Sequence, residues 1–277
     1  MRQVILPGTD MPVSRFAFGT ASLFNVGSAK QRGDLLAAAY DHGFTHFDTA
    51  PYYGFGHAER DLKPLLAAHP EASVATKVGI YSPGGENQSQ AAVFVRKAAG
   101  KLIPAISRPT IDWSVARARD ALSASLKRLG RERVDLYLLH EPDLALLDAD
   151  EWLRWLERES GERVARFGIA VDAERLTGFL GSNTPLAAFI QTVDSLDERE
   201  ADRLAEHHRP MQITYGYVSS ARKRGVTTPV ASILTEALKR NASGCVIVST
   251  RKRERLKSFV TIAAAADAGL ATRDSAS

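Results

Sequence analysis

A (β/α)8 barrel is the fold class that the sequence predicts, and three observations favour it. The chain has 277 residues, 44% hydrophobic and 25% charged, an ordinary globular composition with a length typical of one barrel domain. Short β-rich runs alternate with helix-like stretches, as in repeated β-α-β units. A doubly wound sheet is the alternative, but the run Gly54-Phe-Gly56 lacks the third glycine of its dinucleotide fingerprint. We therefore expect one barrel domain over residues 1–277.

The predicted strands and helices are assigned in turn from apolar periodicity and from turn residues. The strands are Phe16–Gly19, Thr45–Asp48, Ser73–Lys77, Val134–His140, Val164–Gly168, Ala187–Gln191, Met211–Tyr215 and Cys245–Val248. The helices are Lys30–His42, His57–Ala68, Trp113–Leu129, Asp148–Glu159, Glu174–Leu180, Asp197–His208, Pro229–Arg240 and Lys252–Ala266. Asp112 as an N-cap and Gly130 as a stop signal bound the third helix.

Three segments lie outside this alternation. Residues 1–15 predict a small hairpin, with VIL and MPV on either side of a Pro-Gly-Thr-Asp turn, that plugs the barrel floor. The longest irregular segment, Gly79–Pro109, predicts a functional loop that is partly helical around Gln90–Ala99. The tail from about residue 268 to residue 277 is expected to be flexible.

Composition and charge narrow the class of protein. A single cysteine, Cys245, excludes an internal disulfide framework and indicates a reducing compartment, so we expect a cytoplasmic protein. No apolar stretch approaches the roughly 20 residues of a spanning helix, and the first ten residues do not resemble a signal peptide. The basic clusters Arg222–Arg224 and Arg251–Arg253 lack interleaved aromatics, which indicates solvated faces or phosphate sites rather than nucleic-acid binding. No membrane or nucleic-acid partner is expected.

Titratable side chains end three consecutive predicted strands: Asp48, Lys77 and His140. Active sites of such barrels lie at the carboxyl ends of the strands, where Tyr53 follows in the loop beyond Asp48. The ammonium of Lys77 is expected to lower the pKa of Tyr53, and His140 to orient a carbonyl oxygen. Such a set can protonate an oxygen as hydride reaches its carbon, or run in reverse. Taken singly, each residue also fits a capping, packing or snorkelling role.

These residues occur in motifs that resemble the aldo-keto reductase family. The stretches are G-F-T-H-F-D-T-A-P-Y-Y-G, A-T-K-V-G, D-L-Y-L-L-H-E-P-D and the helix D-W-S-V-A-R-A-R-D-A-L-S-A-S-L-K-R-L-G, in the family's order. The resemblance implies that Tyr53 is the general acid/base, tuned by Lys77 and Asp48, and that His140 positions the carbonyl.

The same resemblance implies NADP(H) as cofactor, with NAD(H) as the alternative and no metal. It assigns the nicotinamide amide to Gln191, ring stacking to Tyr215 and the adenosine phosphate to the run V-I-V-S-T-R-K-R-E-R-L. Backbone N–H groups at a helix start and guanidinium groups suit a phosphate dianion, which favours NADP. The full set of expected cofactor contacts is Gly19, Thr20, Gln191, Tyr215, Ser249, Thr250, Arg251 and Arg255.

Several positions depart from the family pattern. Ala170-Val171 replaces the Ser-Asn pair that holds the carboxamide, which leaves Gln191 and Tyr215, or nearby Asp172, for that task. Ser249 replaces a glycine, the run Gly-Thr-Ala-Ser lacks a bulky aromatic, and Glu141 stands where some members carry tryptophan. The last two changes predict a wider or more polar pocket that suits a sugar or hydroxylated aldehyde. The expected walls, with packing as the alternative role, are Phe24, Tyr52 and Tyr81.

The favoured function is therefore an NADP(H)-dependent oxidoreductase acting on an aldehyde, ketone or aldose carbonyl, as a monomer or weak homo-oligomer. The alternative is a cofactor-binding regulatory protein on the same barrel with little turnover. A barrel isomerase or hydrolase using Asp48 and His140 would need a metal cluster or second base, for which the sequence offers no candidate.

Overall fold

A closed barrel of eight parallel strands forms the body of the protein, which confirms the predicted fold class. The computed structural model describes residues 1–100, 106 and 108–274. In these residues the strands are β1 (Gln3–Ile5), β2 (Pro12–Ser14), β3 (Phe16–Gly19), β4 (His46–Asp48), β5 (Ser73–Val78), β6 (Ile80–Tyr81), β7 (Thr110–Ile111), β8 (Val134–His140), β9 (Val164–Val171), β10 (Ile190–Val193), β11 (Ile213–Tyr215) and β12 (Cys245–Val248). Around the barrel the strand order is β10-β11-β12-β3-β4-β5-β8-β9.

Helices cover the outside of the barrel and follow the predicted order. They are α1 (Ala29–Asp41), α2 (His57–Ala68), α3 (Gln90–Gly100), α4 (Val115–Leu129), α5 (Ala149–Glu159), α6 (Ala173–Ser182), α7 (Asp202–Glu206), α8 (Tyr217–Lys223), α9 (Val230–Arg240) and α10 (Arg255–Asp274). Side-chain caps begin several of them, as where Ser114 accepts a hydrogen bond from the Arg117 N–H at the start of α4. The predicted N-cap of this helix, Asp112, is wrong, because it lies two residues earlier and accepts the Ser114 N–H at 2.9 Å. Gly130 ends α4 in the left-handed conformation, as expected.

Alternation of side chains along the strands separates two apolar clusters. In β8, Tyr137 and Leu139 face the helices, whereas Leu136 and Leu138 face the barrel interior. The period of two continues to the end of the strand, so His140 points inward as well. This parity decides which residue of each strand reaches the site.

The hairpin β1–β2 closes the amino-terminal end of the barrel, as predicted. Gln3 pairs with Ser14 and Ile5 with Pro12 in antiparallel register. Leu6, Met11 and Val13 are buried in the inner cluster together with inward-facing strand residues. Because the amino-terminal end of the barrel is filled with apolar side chains, the opposite rim is the end that is open to a ligand.

Several predicted elements differ in extent from the observed ones, and one observed helix was not predicted. The helix expected over Asp197–His208 is reduced to α7, because the Asp194 carboxylate accepts the Ala201 N–H at 3.0 Å and holds the preceding loop out of the helix. The strand expected over Ala187–Gln191 begins only at Ile190, since Thr184 caps a short 3-10 turn ahead of it. Helix α8, directly after β11, was not expected.

The long segment after β5 contains the expected helix, α3, and an unpredicted two-stranded sheet in which Ile80 pairs with Ile111. Residues 101–105 and 107 of this segment lie outside the described residues, as do residues 275–277 of the expected flexible tail. Helix α10 continues to Asp274, beyond the predicted end at Ala266. Among the described helices, each is too short or too polar to cross a bilayer.

Candidate active site

One inward-facing residue from the carboxyl end of each barrel strand lines a cavity of about 830 Å³. Most of the expected catalytic and nicotinamide-binding residues are in this ring. In strand order from β3 to β12 the ring is Gly19, Asp48, Lys77, His140, Ala170, Gln191, Tyr215 and Ile247. Strand register brings neighbours together, since Ala170 lies opposite His140 on one side and Gln191 on the other. The ring is therefore the floor of a single site.

Asp48 and Lys77 form a buried ion pair in this floor. The Lys77 ammonium donates to Asp48 Oδ1 at 2.6 Å and to the Thr49 carbonyl at 3.0 Å, and its side chain is 1% exposed. Burial lowers the pKa of Lys77, while the Asp48 carboxylate acts in the opposite direction. The pair thus holds a cation at a fixed point in a low-dielectric floor.

Tyr53 reaches this floor from the turn after β4. Its N–H donates to the Ala50 carbonyl at 3.0 Å, and its ring lies 4.9 Å from the Lys77 ammonium. The expected lowering of its pKa is wrong for the protein without ligands: burial raises the pKa well above its usual range, and the charges of Asp48 and Glu141 add to the rise. The Lys77 ammonium, paired with Asp48 at 2.6 Å, favours the phenolate but does not outweigh burial and the two carboxylates. Tyr53 is therefore held protonated.

His140 completes the set as a neutral ring. It meets Tyr53 edge to face, with 6.0 Å between ring centroids and 88° between planes. Burial, with the nearby Lys77 charge, lowers the pKa of His140 to about 3. Its Nδ1 is buried without a hydrogen-bond partner among the described residues. A neutral imidazole at this place can donate one hydrogen bond to a ligand oxygen.

Glu141 is a cavity residue to which the sequence assigned no role beyond pocket polarity. Its backbone lies in the left-handed region (φ 48°), and its N–H donates to the Ala170 carbonyl at 2.8 Å. One carboxylate oxygen accepts the Asp172 N–H at 2.9 Å and lies 3.6 Å from Arg175. Burial raises the pKa of Glu141, while the Asp172 N–H, Arg175 and the Tyr215 hydroxyl partly offset the rise. A non-glycine residue with positive φ directly after His140 is a signal of function that only coordinates reveal.

Gln191 and Tyr215 lie on β10 and β11, across the barrel from Lys77 on β5. Gln191 is 3% exposed, and its Oε1 is buried without a hydrogen-bond partner among the described residues. The neighbouring Ala170 offers only a methyl group, and Val171 packs outward in the helix-facing cluster. A ligand group that donates N–H hydrogens would satisfy Gln191 Oε1.

The cavity continues beyond the ring between α8, α9 and α10. Ser249 and Arg255 line this part, and Arg255 is the first residue of α10. The other lining residues there are mostly apolar and went unassigned from sequence: Gly216, Tyr217, Val218, Ser219, Arg222, Val230, Ala231, Leu234, Val248, Ser258, Phe259 and Ile262. Their helical spacing on α10, at Arg255, Ser258, Phe259 and Ile262, is a signal that could have identified one wall.

Three expected cofactor residues do not line the cavity. Thr20 is buried and donates its hydroxyl to the Asp48 carbonyl at 3.0 Å. Thr250 caps its own turn by accepting the Lys252 N–H at 3.0 Å. Arg251 is exposed outside the lining. Their cofactor roles stay predictions.

The expected aromatic walls also lie outside the lining. Phe24 packs on the turn that carries Tyr53, where a Cβ on Gly54 would lie 2.9 Å from its Cβ. Tyr81 is 2% exposed, belongs to the helix-facing core and lies under Arg117, 4.7 Å from the ring centroid. Tyr52 is half-buried in the same turn as Tyr53. The packing alternative fits Phe24 and Tyr81, while contact with substrate stays a prediction for all three.

The arrangement can perform proton transfer beside an electrophilic carbon. A protonated phenol, a fixed ammonium and a neutral imidazole line the same cavity of about 830 Å³. In the described residues, His, Cys, Asp and Glu side chains form no cluster of three or more with metal-binding geometry.

Comparison with known proteins places the chain among related enzymes. The family model described as "Aldo/keto reductase family" matches residues 15–159, which is more than half of the chain. A D-threo-aldose 1-dehydrogenase from a Pseudomonas species is 33% identical over 141 residues, covering 48% of this chain and 42% of that enzyme. The match thus spans less than half the length of this relative.

Solved structures extend the likeness over the whole fold. A protein from Pseudomonas aeruginosa described as an aldo-keto reductase has a TM-score of 0.70 at 24% identity, covering 95% of each chain. An aldo-keto reductase from Klebsiella pneumoniae, solved with NADPH, has a TM-score of 0.64 at 20% identity, covering 96% of this chain and 89% of that one. At these identities the likeness establishes the barrel.

Proposed function

This chain belongs to the aldo/keto reductase family, and from that premise we propose that it is an NADP(H)-dependent oxidoreductase with Tyr53 as general acid/base. Hydride passes between the nicotinamide and the carbonyl carbon of an aldehyde, ketone or aldose. The observation that carries the proposal is the shared floor on which Tyr53, the Lys77–Asp48 pair and neutral His140 meet beside the unsatisfied Gln191 Oε1.

Each residue has a role in the reduction of a carbonyl. The bound nicotinamide supplies the hydride in this direction and accepts it in the reverse direction. Tyr53 gives its hydroxyl proton to the substrate oxygen, where the C=O π pair becomes the new O–H bond. The Lys77 ammonium, 4.9 Å from the ring, stabilises the phenolate that remains, and solvent returns the proton. His140 donates a hydrogen bond to the same oxygen and orients it.

The residues at the nicotinamide end fit this cofactor. The buried Gln191 Oε1 would accept an N–H of the carboxamide, whose need for a partner matches that of the oxygen. The ring of Tyr215 lines the cavity next to it and would stack on the nicotinamide. The Ala170 methyl group makes room for the carboxamide but offers it no hydrogen bond. Gln191 is therefore its principal hydrogen-bond partner.

Arg255 would bind the adenosine phosphate. It begins the 20-residue helix α10 and lines the far part of the cavity, where backbone N–H groups and a guanidinium favour a dianion. The Klebsiella pneumoniae neighbour, which holds NADPH, supports the same choice of nucleotide.

Arg255→Ala should therefore raise the Kd of NADPH about tenfold or more and change that of NADH by less than about twofold, since only NADPH carries the extra phosphate. Fluorescence titration measures both constants. Arg253→Ala is the matched control, because this exposed arginine precedes α10 without lining the cavity. Equal weakening of the two nucleotides by Arg255→Ala would refute the phosphate role.

The substrate class is a hydroxylated aldehyde or aldose. Glu141 and Ala170 give the reaction end a carboxylate and open space, which suit hydroxyl groups better than an aromatic aldehyde. The related Pseudomonas enzyme is named for an aldose.

An absorbance screen tests the whole proposal. NADPH is mixed with aldehydes and ketones, and NADP⁺ with aldoses, while reduced nicotinamide is followed. Turnover in either direction supports the proposal. Tight NADPH binding without turnover on any substrate would favour the regulatory alternative, and absence of both would exclude the function.

A further inference from the structure

The charges at the reaction end of the cavity do not balance. Lys77 and Asp48 cancel at 2.6 Å, and His140 is neutral. Glu141 then adds a carboxylate that lines the same cavity. Its nearest cation, Arg175, lies 3.6 Å away but is shared with Asp172 at 2.8 Å. Two acids for one guanidinium leave a surplus negative charge beside the floor.

Geometry ties this carboxylate to the reacting groups. Glu141 follows His140 directly, and its backbone N–H donates a hydrogen bond to the Ala170 carbonyl. Ala170 lies opposite Gln191 on the neighbouring strand. The negative charge of Glu141 raises the pKa of Tyr53 and of Tyr215, and a hydrogen bond from the Tyr215 hydroxyl lowers the pKa of Glu141. The charge is therefore anchored beside the ring that would stack on the nicotinamide.

We propose that Glu141 makes the site discriminate between the two redox states of the cofactor, favouring the cationic oxidised nicotinamide over the neutral reduced one. This inference rests on the proposed function. The nicotinamide ring carries one positive charge when oxidised and none when reduced, so a fixed carboxylate near it stabilises only the oxidised form. In a half-buried site, where water screens poorly, this attraction is larger than at the surface.

The consequence is a bias in which form of the cofactor occupies the site. When a substrate alcohol is oxidised, its C–H hydride with two electrons goes to the cofactor, and its hydroxyl proton goes to the Tyr53 phenolate. Glu141 increases the fraction of the protein that binds the oxidised cofactor, from which this step starts. The cationic ring in turn offsets the two carboxylates that hold Tyr53 protonated. The site is thus arranged for oxidation of a hydroxyl group as well as for reduction.

The test compares binding constants of NADP⁺ and NADPH, by calorimetry and by fluorescence, without any substrate. Glu141→Gln removes the charge and keeps the shape, and should lower the ratio Kd(NADPH)/Kd(NADP⁺) about three- to tenfold. Arg175→Gln removes the counter-charge and should shift this ratio in the opposite direction. Glu174→Gln, an exposed acid in the first turn of α6 outside the large cavity, should leave the ratio unchanged.

Several results would overturn the inference. If Glu141→Gln left the ratio Kd(NADPH)/Kd(NADP⁺) unchanged, or weakened the binding of both nucleotides equally, Glu141 would only stabilise the loop. Equal shifts in Glu174→Gln would mean that general surface charge sets the ratio. Failure of the parent protein to bind either nucleotide would instead remove the proposed function itself, so the two failures are distinguishable.

Discussion

Tyr53→Phe should abolish turnover while NADPH binding stays within about twofold of the parent value. In the proposed reaction the phenol exchanges a proton with the substrate oxygen, and loss of a positioned acid or base typically costs about 10²- to 10⁴-fold in rate. The ring itself remains, with its edge-to-face contact to His140 and its place 4.9 Å from the Lys77 ammonium. Single-turnover absorbance and fluorescence titration measure the two quantities separately.

A matched control removes a hydroxyl elsewhere. Tyr40 lies on α1, and its hydroxyl donates to the surface residue Glu71, away from the cavity. Tyr40→Phe should keep full turnover. If Tyr53→Phe retained more than about a tenth of the parent rate, Tyr53 would not be the general acid/base.

Lys77→Met should both remove turnover and destabilise the fold. The substitution leaves the Asp48 carboxylate buried, with its side chain 6% exposed, and without its partner at 2.6 Å. Removal of one member of a buried ion pair costs about 3–5 kcal/mol. In the proposed reaction the Lys77 cation stabilises the Tyr53 phenolate, so its loss should lower kcat about 100-fold or more. Urea unfolding gives the free energy, and steady-state kinetics give kcat.

The double variant Asp48→Asn/Lys77→Met separates the two effects. Because neither charge is then left unpaired in the floor, most of the lost stability should return, while turnover stays low. Recovery of turnover along with stability would mean that Lys77 acts only through the fold. No loss of stability in the single variant would show that the pair is not buried as described.

Local patterns were enough to predict most of the barrel. β3, β8 and β12 begin and end where apolar runs and turn residues predicted, as does α2. The elements that differ from the prediction are those in which a distant or competing hydrogen bond sets where the helix or strand begins or ends. One example is α7, which the hydrogen bond from the Ala201 N–H to the Asp194 carboxylate shortens. Such contacts join residues whose meeting depends on the completed fold, so a window of local sequence does not contain them.

The part of the candidate site that was predictable is the part set by the alternation of inward- and outward-facing side chains along each strand. Asp48, Lys77, His140 and Gln191 each end an apolar run, and in a barrel such a residue on the inward parity reaches the rim. The same rule puts Ala170 in the cavity and sends Val171 outward. Sequence motifs treated that pair as one unit, whereas the pleat divides it.

By itself, the sequence determined the barrel, the family and the order of polar residues around the rim, because each of these follows from local periodicity or from contiguous motifs. Only the tertiary structure decided the electrostatics. Burial and two carboxylates hold Tyr53 protonated where a neighbouring lysine had predicted the reverse. It also decided that Glu141 lies in the cavity on a strained backbone. A pKa and a net local charge depend on solvent exclusion and on distances between strands, and these exist only once the barrel has closed.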